Sequence, residues 1–175
     1  MCIRAKDDRA AHVFNADSAE WIFRFALKRN RLALAKQGNA PDETYALQVW
    51  TIKLPKLDDK AFLSEVSKQL AADTPSNRFV PIEKRESLER GKHGSCVRFH
   101  NKVEDAGAVK RTNTPRRMVL ETDGFTCRHP QNTEIFIHLA FSHRYYPEHY
   151  DDSLASKVEW LYDQLRFDNL SLSEQ

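Results

Sequence analysis

The sequence predicts an α+β fold in which helices cover an antiparallel sheet. Several short segments are rich in β-forming residues, two segments have apolar residues at helical spacing, and the order is strands, helix, a longer run of strands, helix. Segregation of strands and helices along a chain is typical of an antiparallel sheet. The length of 175 residues suits one domain.

Residues 17–36 fit either a helix or a strand. The capping-box pattern of Asp17 and Glu20 favours a helix that would end at Gly38. The alternative is a strand with alternating apolar side chains, namely Trp21, Phe23, Phe25 and Leu27. We expect the strand, because "RLALAKQG" needs a sheet partner and pairs naturally with the strand that follows.

The clearest strand is "TYALQVWTIKLP", residues 44–55, which alternates and ends at Pro55. The preceding "QGNAPDE" contains the turn-forming residues of a hairpin loop. Four further strands are predicted in the segments "RFVPIEKRESLERG", "SCVRFHNKVED", "RRMVLETDGFTC" and "TEIFIHLAFSHRYY".

Two amphipathic helices are predicted. The first follows a candidate N-cap at Asp58 and has a helical stripe of Phe62, Leu63, Val66 and Leu70. The second has the stripe Leu154, Val158, Leu161 and Leu165, with candidate caps at Asp151, Asp152 and Ser153.

Cys96 and Cys127 are predicted to form a disulfide. If their strands pair as a wide hairpin, its centre lies at about residues 111 and 112, in the loop "KRTNTPRR", and the two cysteines face each other across the ladder. Two buried thiols are the alternative. A disulfide requires an oxidising compartment. That compartment agrees with a second hypothesis, in which Cys2 is the acylated cysteine that remains after the signal peptide of a lipoprotein is removed; the alternative is an ordinary residue in a mobile terminus.

The element order resembles the PsbP-like fold. The resemblance rests on two segments. The first is "TIKLP" followed directly by "KLDDKAFLSEV", and the second is "IFIHLAFSHRYY" followed by a terminal helix that ends in "LRF". The pattern "SCVRF…VED…C.HP…SHRY" also resembles short uncharacterised bacterial exported proteins and lipoproteins. The resemblance covers roughly residues 13 to 167. It implies a single-domain α/β/α sandwich with a mainly antiparallel sheet of about six strands over residues 13–170, after a mobile segment 1–12, and it implies no activity.

Neither catalysis nor metal binding is predicted. Cys127 and His129 are two positions apart without a third group to orient the imidazole, and there is no C-x-x-C motif. We expect His138 to make a hydrogen bond in a half-buried strand, and His143 and His149 to face solvent. The absence of common nucleotide-binding and hydrolase motifs argues against those classes, and no cofactor is expected.

Two basic turns are candidate anion-binding sites. The first, in the loop between the cysteine-bearing strands, contains Lys110, Arg111, Arg116 and Arg117, and the second is "KRNR" at residues 28–31. Solvated loops are the alternative. A net charge of +2 and the lack of aromatic residues in both turns argue against nucleic acid as a ligand.

The loop of residues 142–152 is a candidate surface for a protein partner. It combines Arg144 with Tyr145 and Tyr146, and tyrosine supplies adaptable contact area. Packing of these side chains over the sheet edge is the alternative.

We therefore predict a non-catalytic protein of the bacterial cell envelope, in the periplasm or at the outer membrane, that binds or stabilises an unknown protein partner. A lipid anchor at Cys2 would associate it with the membrane. The alternative function is a cytoplasmic binder of anionic ligands or nucleic acid through the two basic turns.

Overall fold

The predicted α+β class is confirmed by the computed structural model, which describes residues 22–24, 31–108, 117–165 and 167. Six long strands form an antiparallel sheet with a three-residue strand at one edge, in the order β1-β2-β3-β7-β6-β5-β4. In chain order the elements are β1 Ile22–Arg24, β2 Arg31–Gln37, β3 Thr44–Lys53, α1 Asp59–Asp73, β4 Phe79–Gly91, β5 Gly94–Asp105, β6 Met118–Arg128, β7 Ile135–Tyr145, a short 3-10 helix Pro147–His149 and α2 Leu154–Gln164.

The two helices pack on opposite faces of the sheet, which gives an α/β/α arrangement. Helix α1 lies in a cluster of buried side chains made by Phe62, Val66, Leu70, Val97, Phe99, Phe136 and Ala140. Helix α2 lies in a second cluster that includes Leu154, Val158, Leu161, Leu165, Leu139, Phe125, Cys96 and Cys127. Because successive side chains of a strand point to opposite faces, even-numbered residues of β7 lie on the face with α1 and odd-numbered ones on the face with α2. We call these the α1 face and the α2 face.

The predicted disulfide between Cys96 and Cys127 is present. The two residues are direct partners in the β5–β6 ladder, and this register continues to the pair Asp105 and Met118. Both cysteines are fully buried beneath α2. The hairpin therefore has the pairing that its sequence predicts.

The predicted side-chain cap is confirmed for helix α1 but not for helix α2 at Ser153. Asp58 is the N-cap of α1, where its carboxylate accepts a hydrogen bond of 2.8 Å from the Ala61 amide. Ser153 is the N-cap residue of α2, but its backbone is already in the right-handed helical region and its hydroxyl does not cap the helix. Asp151 instead accepts hydrogen bonds from the amide and hydroxyl of Ser153, so it orders the chain just before the helix.

A strand rather than a helix was expected within residues 17–36, and this is confirmed for the residues of this region that are described, namely 22–24 and 31–36. Ile22–Arg24 pairs with β2, and β2 pairs with β3 across the predicted hairpin loop. The remaining residues of this region lie outside the described part of the chain. So do Cys2, most of the "KRNR" turn, and residues 109–116 of the other basic loop.

Gly124 allows close packing in the middle of the sheet. A Cβ atom at this position would lie 2.2 Å from the Leu139 carbonyl oxygen and 2.5 Å from Cζ of Phe99. We expect Gly124→Ala to lower the free energy of unfolding by about 2 kcal/mol, because backbone and ring must both move. Urea unfolding should show this loss, whereas Gly91→Ala, with a nearest neighbour at 3.4 Å, should cost much less. Equal effects of the two substitutions would contradict this interpretation.

Candidate functional site

A groove on the α1 face, with a volume of about 530 Å³, is the main candidate site among the described residues. Helix α1 covers only part of this face, and its last turn, at Leu70, Asp73 and Thr74, forms one side of the groove. The adjacent strands β3, β7, β6 and β5 supply the other lining residues except Arg78, which lies between α1 and β4. The groove thus exists because the helix leaves half of a sheet face uncovered.

The floor of the groove is low because small residues lie side by side in neighbouring strands. Ala46 of β3 pairs directly with Ser142 of β7, and Ala140 lies two residues before Ser142 on the same face of the sheet. Hydrogen-bonding side chains surround this floor, namely Thr44, Gln48, Asn101, Thr122 and Ser142. A strand face that packed against a helix would instead carry apolar residues.

One end of the groove holds two arginines and a buried aspartate. Arg78 donates two hydrogen bonds to the Asp105 carboxylate, from Nε at 2.8 Å and Nη2 at 2.7 Å. These bonds raise the pKa of Arg78 above its usual value, although partial burial acts in the opposite direction. Arg144 approaches the same carboxylate at 3.5 Å, with its side chain 27% exposed. Two guanidinium groups therefore share one carboxylate at this end, and a second carboxylate, that of Asp73 in the last turn of α1, also lines the groove.

The other end of the groove is aromatic. The ring of His138 stacks on Trp50 at 4.0 Å and on Phe99 at 5.1 Å. Nδ1 of His138 lies 2.8 Å from Oγ1 of Thr126, so the hydrogen bond expected for this histidine is confirmed. The residue is more deeply buried than expected, at 2% exposure. This end of the groove offers a flat apolar surface beside the polar floor.

The predicted site residues lie in different environments. Arg144 lines the groove. Tyr145 and Tyr146 are buried, and their hydroxyls donate hydrogen bonds to Glu121 at 2.6 Å and to Asp42 at 2.7 Å. The tyrosines thus pack within the domain, which was the alternative to a recognition surface.

The predicted anion site in the first basic turn remains a prediction. Arg117 donates a hydrogen bond to Glu104 at the end of the hairpin, while Lys110, Arg111 and Arg116 lie outside the described residues.

The expectation that His143 faces solvent is wrong. It is 1% exposed, and its ring stacks between Tyr45 at 3.9 Å and Tyr145 at 4.5 Å. The alternation of β7 puts His143 on the same face as Phe141, where the core continues. His149 is half-buried and lies 2.6 Å from Glu43, so full solvent exposure is not observed there either.

A group of possible metal ligands, which sequence reasoning missed, lies on the α2 face. His100, Glu121 and Asp123 each offer one ligand atom within 4.8 Å of the others. A signal for this group was available, because the register that pairs Cys96 with Cys127 also pairs His100 with Asp123.

Within the described residues, neither helix has the length and apolar composition needed to span a bilayer. No model of a known protein family matches the chain, and no curated protein is significantly similar to it in sequence. The resemblance to PsbP-like proteins therefore stays a prediction.

Proposed function

We propose that this protein is a non-catalytic binding module of the bacterial cell envelope and that its groove receives an extended segment of a protein partner. The observation that carries this proposal is the polar half of the α1 face, which no described part of the chain covers. Most of its lining groups are spread over four strands, with two arginines at one end and aromatic rings at the other.

The length of the groove favours a peptide. It follows β3 from Thr44 to Trp50, which at the usual rise of a strand is about 20 Å, or roughly six residues of extended chain. Its hydroxyl and amide side chains can pair with the backbone amides and carbonyls of such a segment, which would otherwise lose hydrogen bonds on leaving water. The volume of about 530 Å³ accommodates part of the segment while the rest stays exposed.

Arg144 at the arginine end favours a segment with an acidic residue. Asp105 is only 1% exposed and is already bound in a bidentate manner by Arg78, so it neutralises one of the two guanidinium groups. Arg144 lies farther from this carboxylate, at 3.5 Å. A carboxylate of the partner can pair with Arg144 in a partly desolvated position, where a charged hydrogen bond is stronger than in water.

The disulfide is consistent with an extracytoplasmic location. We place the protein in the periplasm or at the outer membrane, anchored by an acylated Cys2, which lies outside the described residues. Mass spectrometry of protein purified from its native cells under non-reducing conditions tests both points. We expect a bonded Cys96–Cys127 pair and a lipid on the N-terminal cysteine, whereas free thiols at both positions would contradict the compartment.

Selection of random hexapeptides tests the groove itself. We expect the oxidised full-length protein to enrich peptides that share an acidic residue. Calorimetric titration with the enriched peptides should show affinity weakened about tenfold or more in Arg144→Gln, since a charge-assisted hydrogen bond is lost.

Arg85→Gln is the matched control for this substitution. Arg85 lies on β4 and its side chain is 70% exposed. It does not line the groove, and it pairs with Glu83 on the opposite face of the sheet. Its removal should leave peptide affinity unchanged. The proposal fails if no peptide is enriched, or if the enriched peptides bind Arg144→Gln as tightly as they bind the unmodified protein.

A further inference from the structure

We propose that His100, Glu121 and Asp123 form a binding site for Zn²⁺ on the α2 face of the sheet. This site lies on the opposite side of the sheet from the groove and does not depend on it.

The strand register holds the three residues together. His100 of β5 is the direct ladder partner of Asp123 in β6, and Glu121 lies two residues before Asp123, so all three point to one face. Nδ1 of His100 is 3.1 Å from both carboxylate oxygens of Asp123. Two atoms that bind one zinc ion at its usual distance are about 3 to 3.5 Å apart, so the imidazole and the carboxylate already have a suitable spacing.

The third residue is oriented by a neighbouring hydroxyl. Tyr145 donates a hydrogen bond of 2.6 Å to Oε2 of Glu121, and Nζ of Lys102 lies 3.5 Å from the same oxygen. These contacts fix the carboxylate and leave Oε1 for a metal ion. Groups that orient a ligand through its second oxygen are a regular feature of metal sites.

Charge and access both suit a cation. Three carboxylates, those of Glu83, Glu121 and Asp123, surround His100, and two cationic side chains, Lys102 and Arg85, are paired with two of them. One negative charge therefore remains.

A cleft of about 380 Å³ borders His100 and Asp123 and is also lined by Ser87, Glu89, Arg98 and Ala155. This cleft provides a path for the ion and room for a water molecule as a fourth ligand.

The donor set favours zinc over the harder cations. An imidazole nitrogen is a good ligand for Zn²⁺, whereas Ca²⁺ and Mg²⁺ prefer sites made entirely of oxygen atoms. Carboxylates bind zinc as well, so one imidazole with two carboxylates gives the three protein ligands of an open zinc site.

Calorimetric titration with ZnCl₂ tests the site. The protein is the chelator-treated full chain with Cys2→Ser, so that the thiol of Cys2 cannot bind the metal. We expect one zinc ion per chain and a higher unfolding temperature when zinc is bound. His100→Gln and Asp123→Asn should each weaken binding about tenfold or more.

Two matched controls carry the same chemical changes elsewhere. His149→Gln alters a histidine beside the single carboxylate of Glu43, and Asp163→Asn alters an exposed aspartate that pairs with Lys92. Both should keep full zinc affinity. Urea unfolding in the presence of chelator shows whether each variant folds. The proposal is overturned if the protein binds no zinc, if His100→Gln or Asp123→Asn binds zinc as tightly as the unmodified protein does, or if Ca²⁺ binds as tightly as zinc.

Discussion

Removal of the Cys96–Cys127 disulfide is expected to lower the free energy of unfolding by about 3 to 4 kcal/mol. The bond closes a loop with a sequence separation of 31 residues, and its loss returns conformational entropy to the unfolded chain. Because both cysteines are fully buried, the reductant acts when the chain unfolds. Urea unfolding with and without reductant should therefore give well-separated midpoints.

The double variant Cys96→Ala/Cys127→Ala is the control for this experiment. It should unfold near the midpoint of the reduced protein, and reductant should not change that midpoint. If oxidised and reduced protein unfold at the same urea concentration, the disulfide does not stabilise the domain.

His143 is expected to make the domain lose stability in mildly acidic solution. Burial lowers the pKa of His143 from 6.5 to about 4, despite opposing attraction from Asp151 and Glu43. Between these two values the unfolded chain binds a proton that the folded protein excludes, so the free energy of unfolding falls as the pH falls. The loss is fully developed by about pH 4 and amounts to roughly 3 kcal/mol.

His143→Phe tests the origin of this pH dependence. Nε2 of His143 is buried and has no hydrogen-bond partner within the described residues, and phenylalanine keeps the stacking on Tyr45 and Tyr145. We expect the variant to be at least as stable at pH 7. Between pH 7 and pH 5 its free energy of unfolding, measured with urea, should fall by about 2 kcal/mol less than that of the unmodified protein. Parallel pH curves for the two proteins would show that His143 does not titrate as described.

The carboxylates give a separate and more acidic dependence. Burial alone would raise the pKa of Asp151, but hydrogen bonds from Lys157, Ser153 and Tyr45 outweigh it and hold the pKa well below its usual value. Such a group stabilises the fold above the pKa of its unfolded form and loses this contribution as the pH falls below about 4. The effect of His143 is therefore best isolated between pH 7 and pH 5.

Local sequence patterns were sufficient for most of the fold. The alternation in β3 and β7, the Asp58 cap and the helical stripes each depend on neighbouring residues, so they could be recognised without knowledge of the tertiary structure. The disulfide could be predicted because antiparallel pairing relates two positions by simple symmetry about a turn. His143 was misjudged because it is buried against Tyr45 of β3, which becomes its ladder partner only in the folded sheet.

The groove could not be predicted in the same way. Its floor combines Ala46 of β3 with Ala140 and Ser142 of β7, and these three positions become neighbours only when the pairing of β3 with β7 is known. Its arginine end joins the segment after α1 to the ends of β5 and β7 through Arg78 and Arg144. No local pattern specifies that α1 leaves this half of the face uncovered.

Nuclear magnetic resonance of the ¹⁵N-labelled, oxidised protein with an enriched acidic hexapeptide tests the central claim most directly. We expect the largest changes of amide chemical shift in the rows that line the groove, at Thr44, Gln48, Thr122, Ser142 and Arg144. Amides of Ser87, Glu89 and Ala155, which line the cleft on the opposite face, should change little. Changes confined to that opposite face, or no changes at saturating peptide, would contradict the assignment of the groove as the partner-binding site.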